Sequence, residues 1–284
     1  MKIAITGVTG QYGKEALAYL LEKKFPKEDI IALARTPEKA TFAIENNIEV
    51  RPGNFDDKEE MLKSLEGIDR ILLVSTTEPN TEKRVQQHIN VIEAAKGNQV
   101  QKIVYTSAVN PDLSPLGQAH VQTENYLKNC GVPYLILRNN SYLETKIPDI
   151  QMAIQSGKIA SSITTGKFGL ALRCDFAHAG VEALLSNREN ETLTLSGELT
   201  TYSEFTNMVA SALNREVTFI PLNEEQSLDL LKQRMPQPLA EIFVENNKAL
   251  DKGVTDVTST DLEDLLGHPM TSLSNGIVEL IAKL

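Results

Sequence analysis

The segment KIAITGVTGQYGKEALAYLLEKK (residues 2–24) decides the fold class of this 284-residue chain. It begins with a short apolar run typical of a strand buried on both faces, and it ends in a helical pattern with its apolar residues on one side. Between the two stand Gly7, Gly10 and Gly13, spaced as G-x-x-G-x-x-G. Such glycines permit a tight turn, let the backbone approach a pyrophosphate, and bring helix and strand close together. The segment predicts a dinucleotide-binding unit, and the alternative is a merely tight turn.

Strand and helix patterns alternate through the first half of the chain. Short runs rich in Ile, Val and Leu occur at residues 2–6, 29–34, 48–52, 70–75, 102–107 and 134–138. Helical patterns separate these runs, which implies right-handed crossovers between parallel strands. The sequence therefore predicts an α/β fold with a doubly wound parallel sheet of the Rossmann type.

The alternation of strand and helix patterns ends in the second half of the chain. Helical patterns dominate there, and turn-forming stretches such as GHPM (267–270) interrupt them. We expect a smaller, mostly helical C-terminal lobe that completes a cleft over the sheet. The predicted nucleotide-binding domain covers residues 1–140, with later segments near 170–198 returning to it. Residues 141–284 are predicted to form mainly the substrate-binding lobe.

Charge and hydropathy limit the possible partners and location. The chain has 28 Lys and Arg against 38 Asp and Glu, a formal net charge of −10. It has no run rich in Lys or Arg, so nucleic acid is not an expected partner. No apolar run reaches the roughly 18 residues that span a bilayer, and the N-terminal residues do not resemble a signal peptide. We expect a cytoplasmic monomer or homodimer that is not inserted in a membrane.

Cysteines and histidines give no indication of a disulfide or a metal site. Cys130 and Cys174 lie far apart in the sequence and form no C-x-x-C pattern. His88, His178 and His268 have no acidic or histidine partner at ligand spacing. We therefore expect two reduced cysteines and no bound metal.

The end of the second strand pattern, ALARTPEK (32–39), distinguishes between the two nicotinamide dinucleotides. A site that prefers NAD places a carboxylate about 20 residues after the glycines, and no acid stands there. Arg35 lies 22 residues beyond Gly13 (35 − 13), and its guanidinium suits a 2′-phosphate, with Lys39 as a second cation. NADPH is the expected cofactor. The alternative is a solvated arginine at a helix start.

These residues, together with GNFDDKEEMLKSLEGIDRILLVS (53–75) and YLILRNNSYLE (134–144), resemble the NmrA-like branch of the atypical short-chain dehydrogenase/reductases. Within that branch the chain is similar to the bacterial NAD(P)H:quinone oxidoreductase type 2 and triphenylmethane reductase group. The segments YTSAVNPDLSPLGQAH (105–120) and LLGHPMTSL (265–273) carry this closer similarity. The resemblance implies an NADPH-dependent reductase that uses no flavin.

The resemblance also implies roles for individual residues. It assigns the glycine-rich turn and the arginine after the second strand to the phosphates, through Gly7, Thr9, Gly10, Gln11, Tyr12, Gly13 and Arg35. It assigns Ser75 and Thr76 to the adenosine side. It assigns Ser107, Asn139, Asn140 and Tyr142 to the nicotinamide end, where Tyr142 is a catalytic candidate. Asn54 departs from the pattern, since many relatives have an aspartate there.

The usual proton relay of short-chain dehydrogenases is missing. That relay is Tyr-x-x-x-Lys on the helix after the fifth strand, and its two positions here are Leu116 and His120. A quinone relaxes the need for a relay, because hydride arrival gives an aromatic hydroquinone anion that water can protonate. His120 is the second catalytic candidate, as a donor to a quinone oxygen oriented by Glu124. A surface His/Glu pair on the helix is the alternative.

The sequence thus predicts an NADPH-dependent reductase of quinones or similar delocalised electrophiles. One alternative is a redox-sensing NADP(H)-binding protein that turns nothing over and binds a protein partner. Another is an isoflavone-type reductase, which would need a lysine on this helix, and Lys128 falls a turn late.

Overall fold

The computed structural model describes all 284 residues and contains eleven β-strands and twelve α-helices. The strands are β1 (Ile3–Thr6), β2 (Ile30–Ala34), β3 (Glu49–Pro52), β4 (Arg70–Leu73), β5 (Lys102–Ala108), β6 (Tyr134–Asn139), β7 (Lys158–Ser161), β8 (Phe168–Leu170), β9 (Glu191–Leu195), β10 (Glu198–Thr200) and β11 (Thr218–Pro221). The helices are α1 (Gln11–Glu22), α2 (Thr41–Glu45), α3 (Lys58–Ser64), α4 (Thr81–Gly97), α5 (Gln118–Asn129), α6 (Ile147–Ser156), α7 (Arg173–Leu185), α8 (Tyr202–Leu213), α9 (Glu224–Lys232), α10 (Gln237–Asp251), α11 (Asp261–Leu266) and α12 (Leu273–Ala282).

Seven strands form one parallel sheet in the order β3-β2-β1-β4-β5-β6-β9. All six apolar runs predicted from the sequence are strands of this sheet. Strands β1 and β2 are buried along their whole length, because helices cover both faces. The predicted doubly wound α/β fold is confirmed.

Two helical layers bury the sheet, and each has its own apolar cluster. Helices α1, α7 and α11 pack on one face around Leu17, Phe176 and Leu262. Helices α3, α4 and α5 pack on the other face around Met61, Ile92 and Leu127. The loops at the carboxyl ends of the strands lie between these layers, where parallel sheets place their ligands.

A third apolar cluster lies in the second half of the chain and includes Leu143, Phe168, Phe205 and Ile277. Helices α6, α8 and α12 surround it, together with two small sheets, β8–β10 antiparallel and β7–β11 parallel. Strand β9, by contrast, pairs with β6 in the main sheet. The division into domains at residue 140 stays a prediction. No helix combines the length and the apolar character that crossing a membrane requires.

Candidate active site

A cleft of about 950 Å³ opens at the carboxyl ends of β1 to β5. Loops after successive strands supply its lining, which includes Gly7, Thr9, Gly10, Gln11, Tyr12, Arg35, Asn54, Ser75, Thr76, Thr106 and Tyr142. Nine of the predicted site residues therefore line one continuous cavity. Its volume falls at the upper end of the usual range for ligand pockets, as an extended dinucleotide requires.

The turn after β1 is built for close backbone approach. Gly7 has φ +64°, a left-handed conformation that favours glycine. A Cβ atom at Gly13 would lie 2.5 Å from the carbonyl oxygen of Gly7, so only glycine lets α1 begin this close to β1. Helix α1 has neither a side-chain cap nor an acid in its first turn. Its free N–H groups and positive dipole end thus face the cleft without a competing anion, which fits a bound pyrophosphate.

Arg35 lies where the sequence analysis expected it, at the end of β2, exposed and lining the cleft. Its guanidinium forms no salt bridge with any carboxylate of the chain. Lys39 does not line the cleft. The donor set at this end fits a phosphate monoester, and Arg35 is its available cation.

The loop after β4 is held by hydrogen bonds to neighbouring elements. The backbone N–H of Ser75 donates to Thr106 Oγ1 at 2.9 Å. The backbone N–H of Thr76 donates to His88 Nε2 at 3.0 Å, and the Thr76 hydroxyl donates to Gln87 Oε1 at 3.0 Å. These bonds preorganise the loop along the side of the cleft predicted to take the adenosine.

Tyr142 lines the opposite end of the cleft, beside Tyr12. Asn139 Nδ2 donates to Tyr142 Oη at 2.9 Å, while Asn139 Oδ1 is buried with no hydrogen-bond partner. Burial raises the pKa of the Tyr142 phenol, so it is protonated at neutral pH. The Arg173 guanidinium lies over the Tyr142 ring, 5.2 Å from its centroid. The unsatisfied oxygen of Asn139 fits a ligand that brings an N–H donor to this end.

Two residues expected at the nicotinamide end have other partners. The Ser107 hydroxyl donates to Glu124 Oε1 at 2.6 Å, and Ser107 does not line the cleft. Asn140 Nδ2 donates to Ser196 Oγ at 3.2 Å and to the Thr255 carbonyl at 3.0 Å. Both side chains thus already have protein partners, as buried polar groups usually do, and their assignment to the nicotinamide end stays a prediction.

The expectation that His120 faces the cleft is wrong. Its imidazole is buried between α5 and α4, and its Nδ1 lies 2.8 Å from Tyr105 Oη. Its Nε2 lies 2.9 Å from Nη2 of Arg84. Because arginine has only donors, Nε2 is the acceptor and the ring proton sits on Nδ1. Burial and then the Arg84 charge lower the pKa of His120 to about 3, so the ring is neutral.

Glu124 does not orient His120, which corrects a second expectation. Its carboxylate pairs with Arg138 at 2.7 Å and with Lys128 at 3.3 Å. These two cations, with the Ser107 hydroxyl, keep the pKa of Glu124 below its usual value although burial acts to raise it. Neither His120 nor Glu124 of helix α5 therefore presents an ionisable group to the cleft.

Sequence reasoning missed seven polar residues that line the cleft, namely Asp56, Thr77, Glu78, Arg84, Gln87, Thr106 and Arg173. Gln87 Nε2 donates to Asp56 Oδ1 at 2.9 Å, which links α4 to the loop after β3. A signal was present in the sequence of α4, where Arg84, Gln87 and His88 fall at helical spacing on the face that also carries the buried Val91. Polar residues at core positions of a helix indicate a buried polar network or a site.

The fold and the cleft together define a Rossmann-type protein that binds a dinucleotide at the carboxyl edge of its sheet. The model of the NAD(P)H-binding family matches residues 7–167, and the chain belongs to this family. It is 32% identical over 283 residues to quinone oxidoreductase 2 of Escherichia coli, which covers 98% of each chain.

Solved structures agree with this membership. The NADPH complex of the E. coli quinone oxidoreductase 2 superposes with a TM-score of 0.92 at 32% identity, covering 98% of this chain and 99% of the other. The NADP(H) complex of the Citrobacter sp. triphenylmethane reductase gives 0.90 at 28% identity with the same coverage. These matches confirm the predicted family resemblance, the cofactor NADP(H) and the quinone oxidoreductase-like enzyme class.

Proposed function

We propose that this protein reduces quinones, or delocalised electrophiles like them, with NADPH and without a flavin. The observation that carries the proposal is a dinucleotide cleft that lacks the phenol–lysine relay. Leu116 takes the phenol position and is partly exposed, while His120 takes the lysine position and is buried and neutral. A ketone would need a proton donor at this place, whereas a quinone becomes aromatic on accepting hydride and needs none.

The residues that line the cleft divide into those that hold the cofactor and those that face the acceptor. In the proposal the turn at Gly7, Thr9, Gly10, Gln11, Tyr12 and Gly13 takes the pyrophosphate, Arg35 takes the 2′-phosphate, and Ser75 and Thr76 take the adenosine side. Asn139 accepts a donor from the nicotinamide end through its free Oδ1. When bound there, NADPH supplies a hydride.

Tyr142 is the proposed residue on the acceptor side. Its phenol is protonated, and its oxygen already accepts a hydrogen bond from Asn139. The phenol hydrogen therefore points away from Asn139 and can be donated to an oxygen of the acceptor. His120 acts indirectly in this scheme, by holding a neighbouring side chain, since neither of its ring nitrogens is free.

Location and assembly belong to the same proposal. We infer a cytoplasmic monomer or homodimer whose partner is a small molecule and not a nucleic acid. The acidic balance of the chain, 28 basic against 38 acidic residues, supports the exclusion of nucleic acid.

Anaerobic mixing of the purified protein with NADPH and a panel of benzoquinones and naphthoquinones tests the proposal, with loss of nicotinamide absorbance as the readout. We expect turnover of several quinones and an absorption spectrum without a flavin band. A stoichiometric flavin band would overturn the flavin-free mechanism. Tight NADPH binding with no turnover across the panel would favour the redox-sensing alternative, to which the missing tyrosine and lysine also point.

A further inference from the structure

Arg84 of α4 lines the cleft with a positive charge that no acid of the chain neutralises. It forms no salt bridge, and its Nε is fully buried without a hydrogen-bond partner. The acids nearest in the cleft are engaged elsewhere, since Asp56 accepts from Gln87 and Glu78 pairs with Lys83 at 3.0 Å. A partly desolvated cation without a counter-charge costs stability, so its retention indicates a ligand that brings electron density to it.

The groups that hold Arg84 in place are neutral. Arg84 Nη2 donates to Nε2 of His120, and His120 in turn donates through Nδ1 to Tyr105 Oη. His88 Nε2 accepts from the backbone of Thr76, so its proton also sits on Nδ1, which donates to Thr123 Oγ1 at 2.9 Å. This network of neutral partners fixes the guanidinium and leaves its charge uncompensated, which is the preorganisation that stabilises developing negative charge.

Arg84 contacts His120 of α5, the residue that takes the lysine position of the usual relay. Arg35 follows β2, whereas Arg84 contacts His120 on the helix that follows β5, and β2 and β5 are three strands apart in the order β2-β1-β4-β5. The glycine-rich turn after β1 lies between them. A dinucleotide that spans this edge therefore leaves Arg84 beside the acceptor.

We propose that Arg84 is a catalytic residue that donates to an acceptor oxygen as negative charge develops there, and that it makes the site selective for neutral quinones over cationic acceptors. The inference rests on the proposed function. Hydride transfer adds two electrons and one proton to the quinone, which becomes a hydroquinone monoanion, while NADPH becomes NADP⁺. A second proton from solvent completes the hydroquinone. Arg84 stabilises the monoanion-like transition state more than the neutral quinone.

A cationic triarylmethane dye provides the discriminating comparison. Hydride adds to its central carbon and neutralises the dye, so no negative charge develops for Arg84 to stabilise. The fixed guanidinium instead repels the cationic ground state. Removal of the Arg84 charge should therefore slow quinone reduction and leave dye reduction unchanged or faster.

The test compares Arg84→Met with the parent enzyme in steady-state kinetics. We expect kcat/KM for a quinone to fall by about 10- to 100-fold, as for loss of one charged donor, with the NADPH Kd changed by less than about 3-fold. For the dye, kcat/KM should stay unchanged or rise. The inhibition constant of the dye, measured as a competitor of quinone reduction, should fall. Arg84→Lys, which keeps the charge, should recover part of the quinone activity. Arg215→Met is the matched control, because Arg215 is exposed and bonds only to the Ile154 carbonyl.

Three results would overturn the role of Arg84. Equal losses for quinone and dye would indicate a structural role, and a 10-fold weaker NADPH Kd with unchanged kcat would indicate a cofactor contact. Parental quinone kinetics in Arg84→Met would remove the residue from the reaction. A parent enzyme that reduces no quinone contradicts the proposed function itself, and is thereby distinguished from failure of the Arg84 proposal.

Discussion

His120 Nε2 accepts a hydrogen bond from Arg84 Nη2 at 2.9 Å, and this contact fixes the imidazole as the acceptor. The imidazole must be neutral to accept the bond. The guanidinium carries a positive charge that no carboxylate compensates, and burial lowers its pKa from the usual value. A histidine in the position of the usual lysine thus serves to hold an arginine and does not itself carry the proton.

Replacement of His120 by alanine should lower quinone kcat/KM by about 10-fold, because Arg84 loses the acceptor that orients it. The ratio of variant to parent rates should stay constant between pH 6 and 8, since the pKa of His120 is lowered to about 3. His120→Gln, whose side-chain oxygen can accept from Arg84, should recover most of the loss. Rates measured across that range decide the matter, and a step in the ratio near pH 6.5 would mean that the imidazole titrates in the reaction.

Acid should destabilise the protein below pH 6.5. Burial lowers the pKa values of His88 and His120 to about 3, against 6.5 for an ordinary histidine. Between these values the unfolded chain binds more protons than the folded one, so the free energy of unfolding falls as pH falls. The slope is about 1.4 kcal/mol per pH unit for each histidine. Urea unfolding at pH 7, 6 and 5 measures how the free energy of unfolding depends on pH. In His120→Gln the slope of this free energy against pH should be smaller by about 1.4 kcal/mol per pH unit, the share of one histidine. Parallel plots for the two proteins would contradict the buried neutral state.

Arg35→Asp should weaken NADPH binding by about 2 kcal/mol or more and leave NADH binding much less affected, because charge-assisted pairing with the 2′-phosphate is lost. Calorimetric titration with both cofactors measures the difference. Arg215→Asp, at an exposed site just beyond α8, controls for the change in net charge. Equal losses for the two cofactors would exclude contact between Arg35 and the 2′-phosphate.

Gly13→Ala should impair both folding and cofactor binding. The added Cβ would lie 2.5 Å from the Gly7 carbonyl oxygen, so α1 must shift away from β1 at a cost of about 1–3 kcal/mol. The turn that receives the pyrophosphate moves with it. Gly97→Ala is the control, because its added Cβ would meet only the flexible end of Leu62. Thermal unfolding and NADPH titration of both variants test this, and unchanged affinity in Gly13→Ala would show that the turn tolerates the shift.

The sequence by itself determined the parallel sheet, the glycine-rich turn after β1 and the cation Arg35 at the end of β2. Six apolar runs became six parallel strands, because burial on both faces leaves a local apolar signature. The spacing of Gly7, Gly10 and Gly13 located the cleft, because backbone conformation and steric room are local properties that glycine alone satisfies. Arg35 lines the cleft as expected, since its position follows directly from where β2 ends.

Only the tertiary structure decided which polar side chains face the cleft. Ser107, Asn140 and His120 find partners on other elements, and Arg84 reaches the cleft from a helix that the sequence analysis had not connected with it. Arg84 and His120 are 36 residues apart and meet because α4 packs against α5. The physical reason is that periodicity fixes which face of a helix is buried, whereas hydrogen-bond partners and protonation depend on which side chains the neighbouring elements bring to that face.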